Sequence, residues 1–145
     1  MLLIPPSQFR RSYRRLAPHP SIAIPQVIQT PFFVFNSKYD AWQLANELQT
    51  DWTTDAERAA VLQYGTDFLD AFAPVRSNAK NGAMITSCIC HGCPWPELTL
   101  ENRTSYQHYA AWAEGSDVGA AAIHIDSRQP NGGGKITSSS CKPFP

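Results

Sequence analysis

Short, wholly apolar runs alternate along this chain with stretches in which apolar residues recur every three or four positions. The first run, Phe32 to Phe35 in "PFFVFN", has no polar face, so it reads as a strand over 31–36, central in its sheet and covered on both sides. Asn36 ends the run, and "SKYD" leads to a single carboxylate, Asp40. Asp is a favoured N-cap, and "AWQLANEL" after it reads as a short helix. A longer helix follows. Thr54 and Glu57 form a capping box, and Val61, Tyr64, Phe68 and Phe72 then fall on one face, with Pro74 expected to stop the helix. Asn81-Gly82 supplies a turn into a second strand, "AMITS", which runs into "CICHGC". Beyond Pro94 and Pro96 the chain reads as loop up to Thr104. "TSYQHYAAWAEG" is then a helix with Tyr106, Tyr109, Ala110 and Ala113 on its packed side, and "GAAAIHID" a last strand.

Strands alternating with helices predict an α/β fold with a doubly wound parallel sheet. The expected organisation is a proline-rich connector with a basic patch over 1–30, a folded portion over 31–125 and a flexible tail over 126–145. A length of 145 residues at 43% hydrophobic content suffices for one core. Formal charge balances at 12 basic against 12 acidic residues, which argues against a nucleic-acid partner. The basic patch is Arg10, Arg11, Arg14 and Arg15, while 40–70 holds seven acidic residues against Arg58 alone. No run is long and apolar enough for a transmembrane helix. "MLLI" meets two prolines without a basic lead, so it is not read as a signal peptide.

Asp40 and His91 each follow a strand, 51 positions apart with a helix between them, and a doubly wound sheet returns both to its carboxyl edge. A carboxylate on one imidazole nitrogen fixes the tautomer and leaves the other nitrogen free to deprotonate a hydroxyl nucleophile. Asp before His is the order of the last two members of an α/β-hydrolase triad. No serine has the glycine-flanked setting of a nucleophile elbow, and Ser37 and Ser87, at the same strand ends as the acid and base, are poorly placed to complete a triad. Cys88, Cys90 and Cys93 crowd around His91, with Cys141 far away; the set fits disulfides, in a pairing the sequence leaves open. It fits zinc poorly, because adjacent Cys90 and His91 seldom enter one tetrahedral centre. No metal or cofactor is expected. His108 and His124 read as surface or packing residues. Trp42 and Trp95, nearest the Asp/His pair, are candidate stacking faces for a sugar ring, and Asn102-Arg103-Thr104 is a glycosylation sequon.

The same segments resemble the pectin acetylesterase and Notum family, over roughly 20–120 of this sequence. "TPFFVFNSKYDAWQL" is similar to the family's catalytic-aspartate segment, "YGTDFLDAF" to the helix after it, "NGAMITSCICHGCPW" to the catalytic-histidine segment, and "LENRTSYQHYAAWAEG" to a later glycosylatable turn and helix. The resemblance implies the C-terminal part of an α/β-hydrolase-like sheet in a secreted or cell-wall serine ester hydrolase acting on acetylated polysaccharide. Asp40 and His91 would contribute to the triad, and the serine and oxyanion loop would come from a missing N-terminal half. The isolated chain is then expected to be inactive. The alternatives are a noncatalytic remnant or interaction domain, and a part of a protein-lipid ester hydrolase like Notum.

Overall fold

The computed structural model describes residues 28–128 and Pro130. The Arg10 to Arg15 patch, most of the connector, Cys141 and most of the tail lie outside them. The strands are β1 (Phe33–Asp40), β2 (Gly82–Cys90), β3 (Thr99–Leu100), β4 (Arg103–Thr104) and β5 (Ile123–Ile125), and the helices are α1 (Ala41–Asn46), α2 (Asp55–Ser77) and α3 (Ser105–Ala113). Three parallel strands in the order β1-β2-β5 make the main sheet, and β3 and β4 form a small antiparallel hairpin.

Parallel pairing requires crossovers, and here helices provide them. On one face, Phe68, Phe72 and Val75 of α2 meet Ala83 and Ile85, with Val34, Ile123 and Ile125 packed around them. On the other, Met84 joins Cys88, Leu98 and Leu100, flanked by Phe33, Phe35 and Trp95. Side chains alternate across a strand, so neighbours 83, 84 and 85 serve opposite layers. A third cluster, Tyr39, Leu44, Leu48, Val61, Tyr64 and Ile89, roots α1 beneath the carboxyl edge. The result is a partial α/β sandwich with helices on both faces. No helix of the described residues is long and apolar enough to cross a membrane.

Several expectations need correction. β1 does not stop at Asn36: Ser37, Lys38 and Tyr39 are buried in the strand, and it reaches Asp40. The polar Ser37 and Lys38 are tolerated because each finds a partner; Ser37 Oγ donates to the carbonyl of Cys88, and Lys38 Nζ donates to the carbonyls of Asp126 and Arg128, both at 2.8 Å. Among the described residues the central, fully buried strand is β2, and β1 lies at the sheet edge. Pro74 sits inside α2, which runs on to Ser77. It sits in the last turn, and the single bond its missing N–H forfeits would have gone to the carbonyl of exposed Asp70. The hairpin β3–β4 falls where a loop was expected, with Glu101 and Asn102 both left-handed at φ 54° and 62° in its two-residue turn. In α3 the buried residues are Ser105 and His108, whereas Tyr106 and Tyr109 are exposed. The periodicity was misphased because tyrosine counted as apolar and histidine as polar. Ser105 and His108 can be buried because their polar atoms bind the carbonyls of Trp95 and Leu100.

Candidate active site

β1 and β2 run parallel with Phe33 opposite Gly82 and Ser37 opposite Thr86, and the register then shifts so that Tyr39 faces Ile89 and Asp40 faces Cys90. The shift places one extra residue in β2. Ser37 spans the irregularity: its Oγ donates to the carbonyl of Cys88 and accepts from Tyr39 N at 3.0 Å. As a consequence Asp40 ends its strand level with the residue before His91.

The carboxylate of Asp40 accepts from His91 Nδ1, with Oδ2 at 2.9 Å and Oδ1 at 3.2 Å. The same Oδ1 accepts from the backbone N–H groups of Trp42 and Gln43, each at 2.9 Å, capping α1. The two readings of Asp40, cap and partner of a histidine, therefore hold together in one side chain. The acid is well covered, 15% exposed in its side chain, and the imidazole is 62% exposed. That asymmetry holds the carboxylate rigid and leaves the far edge of the ring to solvent. Backbone donors fix the acid's position, and the acid in turn fixes Nδ1 as the protonated nitrogen if the ring is neutral, leaving the Nε2 lone pair outward.

The loop after β2 is shaped by a disulfide between Cys90 and Cys93, with Cα atoms 5.4 Å apart, and by Gly92 at φ 61°. Cys88 is also disulfide-bonded. An open hollow beside His91 is lined by Ala41, Ile89, Cys90, Gly92, Cys93 and Pro94. No serine among the described residues lines it. Ser37 is committed to the bulge, and Ser87 Oγ donates to Asp126 Oδ2 at 2.5 Å. Trp42, half-exposed, stands with its ring centroid 6.4 Å from that of His91. Trp95 instead packs against Phe35 at 5.8 Å.

Sequence reasoning missed two buried polar clusters. Asp126, buried at the end of β5, binds Ser87 and Arg128, and Lys38 binds the backbone beside it. Burial would raise its carboxyl, yet the hydrogen bonds from Arg128 and Ser87 together outweigh that and hold it below the usual range. Burial, reinforced by Asp126, also pushes the Tyr39 phenol up to about 12. The second cluster joins His108, Asp117 and His124. Neither left a periodic signal, because the members come from separate elements.

A parallel sheet covered by helices on both faces, with an acid and an imidazole meeting at its carboxyl edge, is the architecture of an α/β-hydrolase-like protein seen in part. The sequence model of one such family, the pectinacetylesterases, matches residues 4–115. The chain belongs to that family. It is also 32% identical over 84 residues to pectin acetylesterase 11 of Arabidopsis thaliana, an alignment covering 47% of this chain and 22% of that protein. The chain thus spans under a quarter of the relative's length.

Proposed function

We propose that this chain is the C-terminal part of a serine-type carboxylic ester hydrolase that removes acetyl groups from polysaccharide, with His91 as general base and Asp40 as its orienting acid. The observation that carries the reading is the two-oxygen contact of Asp40 with His91 Nδ1 at neighbouring parallel strand ends. Family membership supports the chemistry. In the reaction, His91 Nε2 takes the proton of a serine hydroxyl as the oxygen attacks the acetyl carbonyl, and returns it to the departing sugar hydroxyl. Water then repeats the cycle on the acetyl-serine. Asp40 keeps the ring oriented and stabilises the imidazolium in both steps. The serine and the oxyanion donors are assigned to chain outside the described residues.

Trp42 offers its half-exposed face to a sugar ring beside His91. Trp95, packed on Phe35, supports the floor. An oxidised Cys90–Cys93 pair and an exposed Asn102 sequon fit a secreted or cell-wall setting. The absence of a serine hydroxyl from the described hollow favours a second statement, that the 145-residue chain by itself does not turn over esters.

The test compares aryl acetate and acetylated pectin hydrolysis by this chain and by a longer product carrying an upstream serine segment. The chain alone is expected to stay far below the ordinary range of about 1 to 1,000 per second. His91→Ala in the longer product is expected to cut kcat by about a thousandfold or more. Unchanged kcat in that variant would overturn the role of His91. Ordinary-range turnover by the chain alone, abolished by His91→Ala, would overturn the assignment of the serine to sequence elsewhere.

A further inference from the structure

On the α3 side of the sheet, three side chains from three different places converge. His108 lies in α3, Asp117 in the loop after it, and His124 in the middle of β5, opposite Met84 in register. One ligand-type atom from each lies within 4.8 Å of the others. His108 is 0% exposed and His124 8% exposed. Among the described residues, His108 Nδ1 and His124 Nε2 are buried with no hydrogen-bond partner. His124 Nε2 stands 3.5 Å from Asp117 Oδ2, an ion-pair contact without hydrogen-bond geometry.

The opposite nitrogens are both engaged. His108 Nε2 donates to the carbonyl of Leu100 at 2.9 Å, and His124 Nδ1 donates to Glu101 Oε2 at 2.9 Å. Each proton is thereby placed on the engaged nitrogen, and the other nitrogen of each ring keeps a lone pair that a ligand could take. Metal-bound histidines almost always donate their other N–H to a carbonyl or a carboxylate, and here one does each. Two buried nitrogens without a hydrogen bond, on rings whose centroids lie 3.8 Å apart, are costly for a purely structural packing. A cation satisfies both at once.

We propose that His108, His124 and Asp117 form a site for a divalent transition metal of the zinc class, with Glu101 and the Leu100 carbonyl as the groups that orient its histidines. Two imidazoles and a carboxylate suit zinc and exclude calcium and magnesium, which prefer all-oxygen shells. At zinc bond lengths near 2.1 Å, tetrahedral ligands stand about 3.4 Å apart, which the 3.5 Å between His124 and Asp117 already matches. Asp117 Oδ2 also accepts from Arg103 Nη1 at 2.7 Å, and Arg103 Nη2 donates to the Gln107 carbonyl. That guanidinium neutralises part of the carboxylate and sets the affinity below that of an all-cysteine site. The oxygen nearest His124 is thus the one Arg103 holds, and a bound ion would share it with the guanidinium. Bound there, the ion would tie α3, its following loop and β5 together, with the hairpin turn braced against them. The sequence predicts no metal here, because His108 lies in a tyrosine-rich helix and His124 alternates with Ile123 and Ile125, settings that read as surface or packing.

The test titrates the full 145-residue chain, after chelator treatment, with Zn²⁺ against a chromophoric chelator and with Co²⁺ by visible absorption. Expected are one ion per chain, Co²⁺ bands of low-symmetry nitrogen and oxygen coordination, and a melting temperature that rises with Zn²⁺. Asp117→Asn, on a partly exposed loop that leaves the core intact, and His124→Gln should each weaken binding at least tenfold by removing a ligand. Glu101→Ala, which removes only the partner of His124 Nδ1, should weaken it about 10- to 100-fold. His91→Ala should retain the wild-type affinity for Zn²⁺. The proposal is overturned by a lack of saturable one-to-one binding. It is equally overturned by wild-type affinity in the folded Asp117→Asn variant, or by loss of binding in His91→Ala alone. Wild-type affinity in Glu101→Ala would remove Glu101 from the assignment.

Discussion

Ser87 and Asp126 are 39 residues apart in sequence, and the hydroxyl of one donates to the carboxylate of the other at 2.5 Å inside the protein. Arg128 closes on the same carboxylate through Nε and Nη2, each at 2.7 Å. These bonds hold the folded Asp126 carboxyl below its unfolded value, so the stability they contribute is full above about pH 4 and is lost as pH falls through the folded value. Urea unfolding at stepwise pH from 7 to 3 should show an acid limb that Asp126→Asn flattens. The variant should also lose about 1–3 kcal/mol at pH 7, because Arg128 and Ser87 lose a charged acceptor. An acid limb unchanged in Asp126→Asn would contradict this account.

The double duty of Asp40 can be separated by substitution. Asparagine is as good an N-cap as aspartate, so Asp40→Asn should keep the folded chain within a few tenths of a kcal/mol, whereas Asp40→Ala should cost about 1 kcal/mol. In a longer, serine-bearing product both should lose activity, Asp40→Asn by up to about ten thousandfold in kcat. Denaturant melts paired with aryl acetate kinetics make the comparison. Loss of activity in step with loss of stability would show that the cap alone matters.

Gly65 is the point where α2 lies on β1. A Cβ there would stand 2.4 Å from Cε1 and 2.7 Å from Cζ of the Tyr39 ring. That ring is buried in the cluster beneath α1 and has little room to yield. Gly65→Ala should therefore destabilise by about 1–3 kcal/mol despite alanine's better helix propensity. Equal or greater stability in thermal melts would show that the helix slides freely on the strand.

The Cys90–Cys93 bridge closes a loop of four residues, and in the chain-entropy account so small a ring contributes only about 2 kcal/mol. Its larger effect is local, since it frames Gly92 next to His91. Replacing both cysteines by serine should speed amide hydrogen exchange in 91–95 while leaving the amides of β1 and β2 protected. Uniform loss of protection across the sheet would mean that the bridge holds the core.

Asn102 occupies an exposed hairpin turn at φ 62°, accessible to a glycosylating enzyme. Expression through a eukaryotic secretory pathway should add a glycan that Asn102→Gln removes, read by intact mass. An unmodified chain from such a host would count against a secretory route.

Much of the architecture was legible because it follows from local physics. The apolar runs at 32–35 and 83–85 marked two strands, of which the second is fully buried and the first half-buried at the edge, the Thr54–Glu57 box and the spacing from Val61 to Phe72 marked α2, and the strand-to-polar junctions at Asp40 and His91 pointed to one sheet edge. These signals lie within a few residues of one another, where strand alternation and helical periodicity operate. What the tertiary structure alone decided concerns polar groups that survive burial by finding distant partners. Lys38 could extend β1 because carbonyls 88 and 90 positions away receive its ammonium. His108 could turn inward because Leu100 accepts its proton, and His124 met it only when parallel pairing set β5 beside β2. Sequence determined where the main strands and helices lie; the sheet register and the helix rotation determined which faces are buried and which polar atoms meet inside, because burying each one is tolerable only once its partner has arrived.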